Sequence, residues 1–273
     1  MGNKINRILV IGTGKVGSLV GTLLTRAGFE VTGADLVARP DLNYKTIALD
    51  VSDGSALAAA LDGQEAVVSC LPFQLNLTVA QGAHREGLHY FDLTEDVPTT
   101  HAIMELARDA RGVLAPQCGL APGFVGIVGA HLTTGFDTLR SIELRVGALP
   151  QNPTGKLGYA FNWSPAGVVN EYLNDCEVIR NGVSQTVPAL DLLEVIHLRG
   201  RRLEAFTTSG GLGTMCETYA GRVEDLNYKT MREKINEYGL DRRDGRKNPA
   251  SGGPTDSAPP AAAREAKNWT NGD

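Results

Sequence analysis

No uninterrupted apolar run in the 273 residues approaches the ~20 that a membrane-crossing helix needs. Nor do the first residues show a charged stretch followed by an apolar one of signal-peptide length, because the apolar run there is only a strand long. A membrane partner is therefore not expected. Cysteine is sparse: Cys70, Cys118, Cys176 and Cys216 are scattered without CxxC or Cys/His spacing. That spacing indicates neither zinc nor a disulfide framework, and a reducing cytoplasm fits best. The five histidines show no ligand spacing, so no metal is expected. Clustered Lys and Arg are missing too, and a net charge of -5 argues against a nucleic-acid partner. What is left is an ordinary soluble globular composition, 42% hydrophobic and 21% charged. Its length holds two modest domains or one large one, with room for a real core.

The stretch that organises the chain is its start. Arg7 to Ile11 is a short apolar, β-branched run that breaks into Gly12, Gly14 and Gly17 and then into an apolar-periodic segment. Strand, tight turn and helix are the context a dinucleotide fingerprint requires. Gly12 permits the sharp turn, Gly14 lets the backbone approach a pyrophosphate, and Gly17 lets the helix lie close to the sheet. The phosphates would rest on the free amides of Lys15, Val16 and Gly17, at the positive end of the helix. Small loops use the same glycines merely to turn, so a second signal is needed. It comes from Glu30 to Asp35, an apolar segment closing on a carboxylate about 20 residues beyond the glycines. There Asp35 would accept both adenosine ribose hydroxyls and repel a 2′-phosphate. NAD is therefore the expected coenzyme, with Arg39 close behind to soften the preference toward NADP.

Strands and helices then alternate. Strands are expected at Tyr44–Leu49, Ala66–Cys70, His89–Phe91 and Val113–Pro116, and helices at Lys15–Ala27, Gly54–Leu61, Leu75–Glu86 and Thr99–Ala110. Ser52 or Asp53 can cap the helix at 54, and Gly87 suits the left-handed end of the helix before it. This is the pattern of an α/β, Rossmann-type, doubly wound parallel sheet, whose ligands bind beyond the carboxyl ends of the strands. Those ends carry the glycine turn, Asp35, Asp50 and Val51 (expected beside the adenine), Cys70-Leu71-Pro72, Asp92 to Glu95, and Cys118-Gly119. One cofactor would touch them all.

Beyond residue 122 the texture changes. Leu139 to Leu149 alternates apolar and polar residues, as a half-exposed antiparallel strand does. Strand-like stretches recur at Cys176–Ile179, Gln185–Val187 and Arg202–Phe206, between turn signals such as Asn181-Gly182 and Gly210-Gly211. The expected organisation is a cofactor domain over 1–121, a second α+β substrate domain over 122–232, and a tail over 233–273. That tail has few large apolar residues beyond Ile235, Tyr238, Leu240 and Trp269, too few to offset the entropy of ordering it.

Three motifs of the first half, Gly12 to Gly17, His89 to Thr94 and Cys118 to Gly123, carry a resemblance. Phe161-Asn162-Trp163-Ser164, Asn170-Glu171-Tyr172, Arg180-Asn181-Gly182, Glu204 to Gly211 and Leu226 to Thr230 extend it into the second. Together they resemble the saccharopine dehydrogenase/lysine 6-dehydrogenase family, on the side of the lysine 6-dehydrogenase branch. The resemblance implies NAD(P)-linked oxidation of a C–N bond in lysine or a lysine-derived amino acid, by a homodimer. It also brings Tyr228 and Lys229 into consideration. It stops near Arg232, where such proteins continue through a Tyr-Pro-Gly-His-like turn. A truncated or frame-shifted C-terminus with an exposed apolar patch and impaired activity is the corresponding expectation.

Oxidising an amine needs a hydride acceptor and a group that takes a proton from the ammonium. Asp92, Thr94 and Glu95 are the catalytic candidates, with Asp92 and Thr94 positioning and Glu95 as base; Asp92 and Thr94 also suit a plain capped helix start. Cys118 reads as a backbone contact to the cofactor or as packing. For the substrate the candidates are Arg180 for a carboxylate, Thr208 and Ser209 for hydroxyl and amide contacts, and Glu171 and Tyr172 lining the crevice. Trp163 reads as packing. The alternative to an enzyme is a dinucleotide-binding sensor or scaffold, and an epimerase or reductase on the same fold stays open.

Overall fold

The computed structural model describes residues 5–147, 149–152 and 164–232. The expectations for Phe161, Asn162, Trp163 and the tail from 233 onward lie outside those residues. Arg7–Ile11 (β1) is the middle strand of the first sheet because four of its five residues are apolar on both faces and fully covered. A strand with no polar face must have helices on both sides, and that is the signature of a parallel sheet. Around it lie Lys15–Arg26 (α1), Glu30–Asp35 (β2), Lys45–Ala48 (β3), Gly54–Leu61 (α2) and Ala66–Ser69 (β4). Phe73–Glu86 (α3), His89–Asp92 (β5), Val97–Ala107 (α4) and Leu114–Ala115 (β6) complete the unit. Strand order is β3-β2-β1-β4-β5-β6, all parallel, so the direction of winding reverses between β1 and β4. That reversal opens a crevice at the strands' carboxyl ends.

Local chemistry sets the boundaries. Asp53 caps α2, its carboxylate accepting from the amides of Ser55 and Ala56, and Gly87 closes α3 in the left-handed conformation. The fourth helix starts two residues ahead of the expected Thr99, because Asp96 caps it and Pro98 fits its first turn. Leu57, Leu61, Val67, Val79, Tyr90 and Ile103 form the centre of the core between sheet and helices.

Phe124–Thr133 (α5) leads into the second sheet, built from Ser141–Val146 (β7), Cys176–Arg180 (β8), Val183–Val187 (β9), Glu194–Leu198 (β10), Arg201–Thr207 (β11) and Asp225–Arg232 (β12). Pro165–Leu173 (α6) and the short Met215–Tyr219 (α7) pack with it. The order β10-β11-β12-β8-β9 is antiparallel throughout. The expectation for 139–149 needs correcting on one point. β7 alternates buried and exposed side chains as foreseen, but it pairs with β12 in parallel, Ser141 opposite Asp225 through Val146 opposite Thr230. Period-2 alternation reports one covered face and nothing about direction. The chain between β7 and β12 is long enough to return to the same end, which only a parallel pair requires.

Candidate active site

At the end of β1 the chain turns through Gly12 at φ +87°, where a Cβ would press on the Cys70 carbonyl at 2.9 Å. Gly17 sits so close that a Cβ would overlap the Gly12 carbonyl. Gly14, by contrast, has nothing within 4 Å, and as N-cap of α1 it leaves the first amides without a side-chain partner. Open space over bare amides at a helix N-terminus is a seat for phosphate. Gly14, Lys15, Val16 and Gly17 line one wall of a groove of about 470 Å³, with Cys70, Leu71 and Pro72 opposite. Ser164 and Pro165, at the start of α6, close it from the second domain.

Asp35 closes β2 beside the glycine turn. Its Oδ2 accepts from the Thr13 amide at 2.7 Å and from the Thr13 hydroxyl at 3.2 Å, and its Oδ1 accepts from the Leu36 amide at 2.8 Å. Arg39 donates to the Thr13 carbonyl at 3.3 Å, so acid and base flank one residue of the turn. Both oxygens of Asp41 receive the Arg39 guanidinium, at 2.9 and 2.8 Å. These residues fit a dinucleotide. Asp50 and Val51 do not reach the groove: exposed Asp50 accepts from Ser52 to shape its own turn, which holds its carboxyl below the usual range, and Val51 is buried in the core.

The loop after β5 divides its labour. Asp92 is fully buried, and its carboxylate receives the Tyr90 hydroxyl at 2.7 Å, the Thr94 amide at 2.9 Å and the Gln117 amide at 3.0 Å. Through these contacts Asp92, expected as a positioning residue, fastens β5 to the loop after β6. Thr94 is likewise buried, and its hydroxyl accepts from the Asp96 amide at 3.3 Å. Glu95 is buried as well, but without such contacts for one of its oxygens. It is 7% exposed, and its Oε1 has no partner among the described residues. Burial first, then Asp96 and Asp92, raises its carboxyl above the ordinary range.

Glu95, Leu93 and Val16 line both the dinucleotide groove and a second cavity of about 360 Å³ between the two sheets. Gly119, Leu120 and Ala121 form one side of that cavity; Val168, Glu171 and Tyr172 from α6 form another. Burial, and then the charge of Glu95, pushes the Glu171 carboxyl up to about 8, against a smaller opposing pull from Arg232. The third side is β12, whose period-2 face presents Tyr228, Thr230 and Arg232. Arg232 donates from Nε to the Tyr172 hydroxyl at 2.6 Å and lies 5.3 Å over the same ring.

Glu171 and Tyr172 thus line the same cavity as Glu95. Arg180 does not: it is exposed at the β8–β9 turn and lines none of these cavities, because the Asn-Gly turn beside it belongs to an outlying hairpin. Thr208 and Ser209 are buried supports. The Thr208 hydroxyl pairs with that of Thr230 at 2.8 Å, and the Ser209 amide donates to the Glu171 carbonyl at 3.0 Å, which fixes α6. Cys118 is exposed and lines a different groove, beside Phe124, while its neighbour Gly119 reaches the central cavity. Lys229 points away, to Glu194 at 2.9 Å. Arg232 is the residue the sequence reading missed, although alternation along Tyr228, Thr230 and Arg232 was there to be seen. Among the described residues no group of three metal-ligating side chains exists, and no helix is long and apolar enough to cross a membrane.

Residues 8–115 match the saccharopine dehydrogenase NADP binding domain, and residues 119–240 match the saccharopine dehydrogenase C-terminal domain. The L-glutamate-forming, NADP(+) saccharopine dehydrogenase of Saccharomyces cerevisiae is 28% identical over 205 residues, 68% of this chain and 45% of that one. Its counterpart from Schizosaccharomyces pombe is 28% identical over 160 residues, 56% of this chain and 35% of that one. The mouse mitochondrial alpha-aminoadipic semialdehyde synthase is 25% identical over 190 residues, 64% and 20% of the two chains. The chain therefore spans less than half the length of the curated relatives it matches. An apo saccharopine dehydrogenase structure from S. cerevisiae superposes with a TM-score of 0.66 at 20% identity, covering 84% of this chain and 55% of that one, which supports the shared fold.

Proposed function

Since the chain belongs to the saccharopine dehydrogenase family, whose matched first domain is an NADP-binding one, we propose that it oxidises the C–N bond of lysine or a lysine-derived amino acid. The observation that carries the reading is the position of Glu95, on the shared wall of the dinucleotide groove and the inter-sheet cavity. A bound nicotinamide dinucleotide would supply the hydride acceptor. The chain's own residues do the rest. Arg232, held by the Tyr172 hydroxyl and ring, offers a rigid guanidinium to a substrate carboxylate. Glu95, buried and raised, takes a proton from the substrate nitrogen as the C–N single bond becomes double. Leu93, Leu120, Val146 and Val168 line the cavity with apolar surface and keep water from the reacting carbon.

A preference for NAD, against the NADP in the relatives' names, is the finer part of the proposal. The Asp35 carboxylate opposes a 2′-phosphate, and the Arg39 guanidinium that would receive one is engaged by Asp41. The test is absorbance at the reduced-nicotinamide band with NAD or NADP and a panel of lysine, saccharopine and related amines. Reduction with one of these amines supports the reading. Tight dinucleotide binding with no turnover on any of them would replace it with a non-catalytic sensor or scaffold.

A further inference from the structure

Two carboxylates reach the inter-sheet cavity from different parts of the chain, Glu95 from the loop after β5 and Glu171 from the second turn of α6. Neither is placed there by accident of exposure. The loop carrying Glu95 is held by the Asp92 contacts, and Gly210 approaches it so closely that a Cβ would overlap the Glu95 carbonyl. The Glu171 carbonyl is held by the Ser209 amide. Both acids are therefore anchored by the same 208–211 turn. Glu95 is more than nine-tenths buried, with one carboxylate oxygen that finds no protein donor among the described residues. Glu95 lines the cavity, and a carboxyl group left with an unpartnered buried oxygen can turn toward a donor that a ligand brings there.

We propose that Glu95 and Glu171 form a single socket for the side-chain ammonium group of the substrate, and that seating the cation expels a proton from the socket. The inference rests on the cavity being the substrate site but not on turnover. Two acids packed in one low-dielectric space cannot both ionise without a counter-charge, and the empty pair keeps a proton. The groups that face it are few. From its own loop Asp92 and Asp96 push the same way; from β12 Arg232 opposes weakly, being already engaged with Tyr172; Tyr228 and Tyr172 are neutral. An entering ammonium supplies the missing positive charge and three N–H donors. The carboxylic proton then leaves to solvent as the N–H groups hydrogen-bond to the carboxylates, so one positive charge enters as another leaves and the net charge of the socket is unchanged. The orientation of the substrate follows: ammonium at Glu95 and Glu171, carboxylate at Arg232. Two acids and one arginine suit a molecule with more ammonium than carboxylate groups.

Calorimetric titration of the full chain, saturated with its coenzyme, tests this at pH 7 in two buffers of different ionisation heat. The probes are lysine and norleucine, which differ by the terminal nitrogen. Lysine is expected to bind about tenfold tighter, as one charge-assisted contact warrants, and to release close to one proton where norleucine releases none. Glu171→Gln keeps the shape and removes one acid; proton release should largely vanish and the advantage of lysine should shrink. Glu171→Asp, which retains the charge, should keep part of both and guards against a variant that merely folds badly. Equal binding of the two probes, no binding of either, or proton release unchanged in both Glu171→Gln and Glu95→Gln would each overturn the socket. A chain that binds lysine with proton release but never reduces the coenzyme keeps the socket and loses the dehydrogenase. Turnover without any lysine preference does the reverse.

Discussion

Arg232 and Tyr172 form a clamp in which one hydroxyl fixes the guanidinium Nε at 2.6 Å and the ring lies beneath the cation at 5.3 Å. The clamp joins the last described strand to α6, so the proposed carboxylate site exists only when both are in place. Arg232→Lys keeps the charge but loses the fork and the stacking. Charge-assisted bonds are worth about 1.5–3 kcal/mol, so KM for an amino-acid substrate should rise roughly 10- to 100-fold with a smaller change in kcat. Tyr172→Phe, which spares the ring, should raise it only a few-fold. Steady-state kinetics on both variants checks the pair, and an Arg232→Lys enzyme with parental KM would remove Arg232 from substrate binding.

In the proposed site, coenzyme choice would turn on Asp35 and Asp41. Asp35→Ala removes the acceptor for the ribose hydroxyls and the charge opposing a 2′-phosphate, so NAD should weaken by about tenfold while NADP tightens. Asp41→Asn acts at the other partner. It frees the Arg39 guanidinium and should improve NADP binding with NAD unchanged. Fluorescence titration with both coenzymes reads all four constants, and a parallel shift of NAD and NADP in Asp35→Ala would show that Asp35 does not discriminate.

Two glycines three residues apart should respond in opposite ways. Around Gly14 nothing lies within 4 Å, so Gly14→Ala should leave the melting temperature almost where it was and cost chiefly coenzyme affinity, because the new methyl occupies the pyrophosphate seat. A Cβ on Gly17 meets the Gly12 carbonyl, and neither backbone has room to yield. Gly17→Ala should therefore destabilise the fold by about 1–3 kcal/mol or more. Thermal melts beside coenzyme titration separate the two effects; loss of stability in Gly14→Ala with affinity intact would contradict the phosphate seat.

The same contrast explains what could be read from the chain before folding. Every strand of the first sheet was legible, because a parallel sheet writes itself as apolar runs alternating with capped helices. Asp53, Gly87 and the Gly12–Gly17 turn are local signals that tertiary packing did not override. The second sheet was less legible. β10 and β12 were not delineated, and β7 was given the wrong direction, because its alternation is silent about its partner. At the site the types of residue were visible but not their destinations. Asp92, Thr94 and Glu95 are neighbours in sequence, yet two are tied into a hydrogen-bonded scaffold and the third lines the cavity with one oxygen unpartnered. Arg180 and Arg232 look alike as sequence, each an arginine at a strand end, and only the pairing of β12 with β7 and β11 puts one of them in the cavity.

Glu171 links stability and activity through pH, with opposite signs. Its folded carboxyl is pushed up to about 8, so between its ordinary range and that value the folded chain holds more protons than the unfolded one. Stability must then fall as pH rises from about 5 to about 8, by on the order of 2–4 kcal/mol at most once solvent and Arg232 have relieved part of the charge. The proposed proton acceptor Glu95 is raised in the same direction by its burial, so it too gains its active, ionised form as pH rises above the ordinary carboxyl range. The enzyme should be fastest where the empty cavity is least stable. Glu171→Gln removes the titrating group while keeping its volume, and should flatten the melting curve against pH and raise the melting temperature at pH 8. Melts across a pH series check this, and a variant whose profile runs parallel to the parent would mean that Glu171 is ionised in the folded chain at no cost.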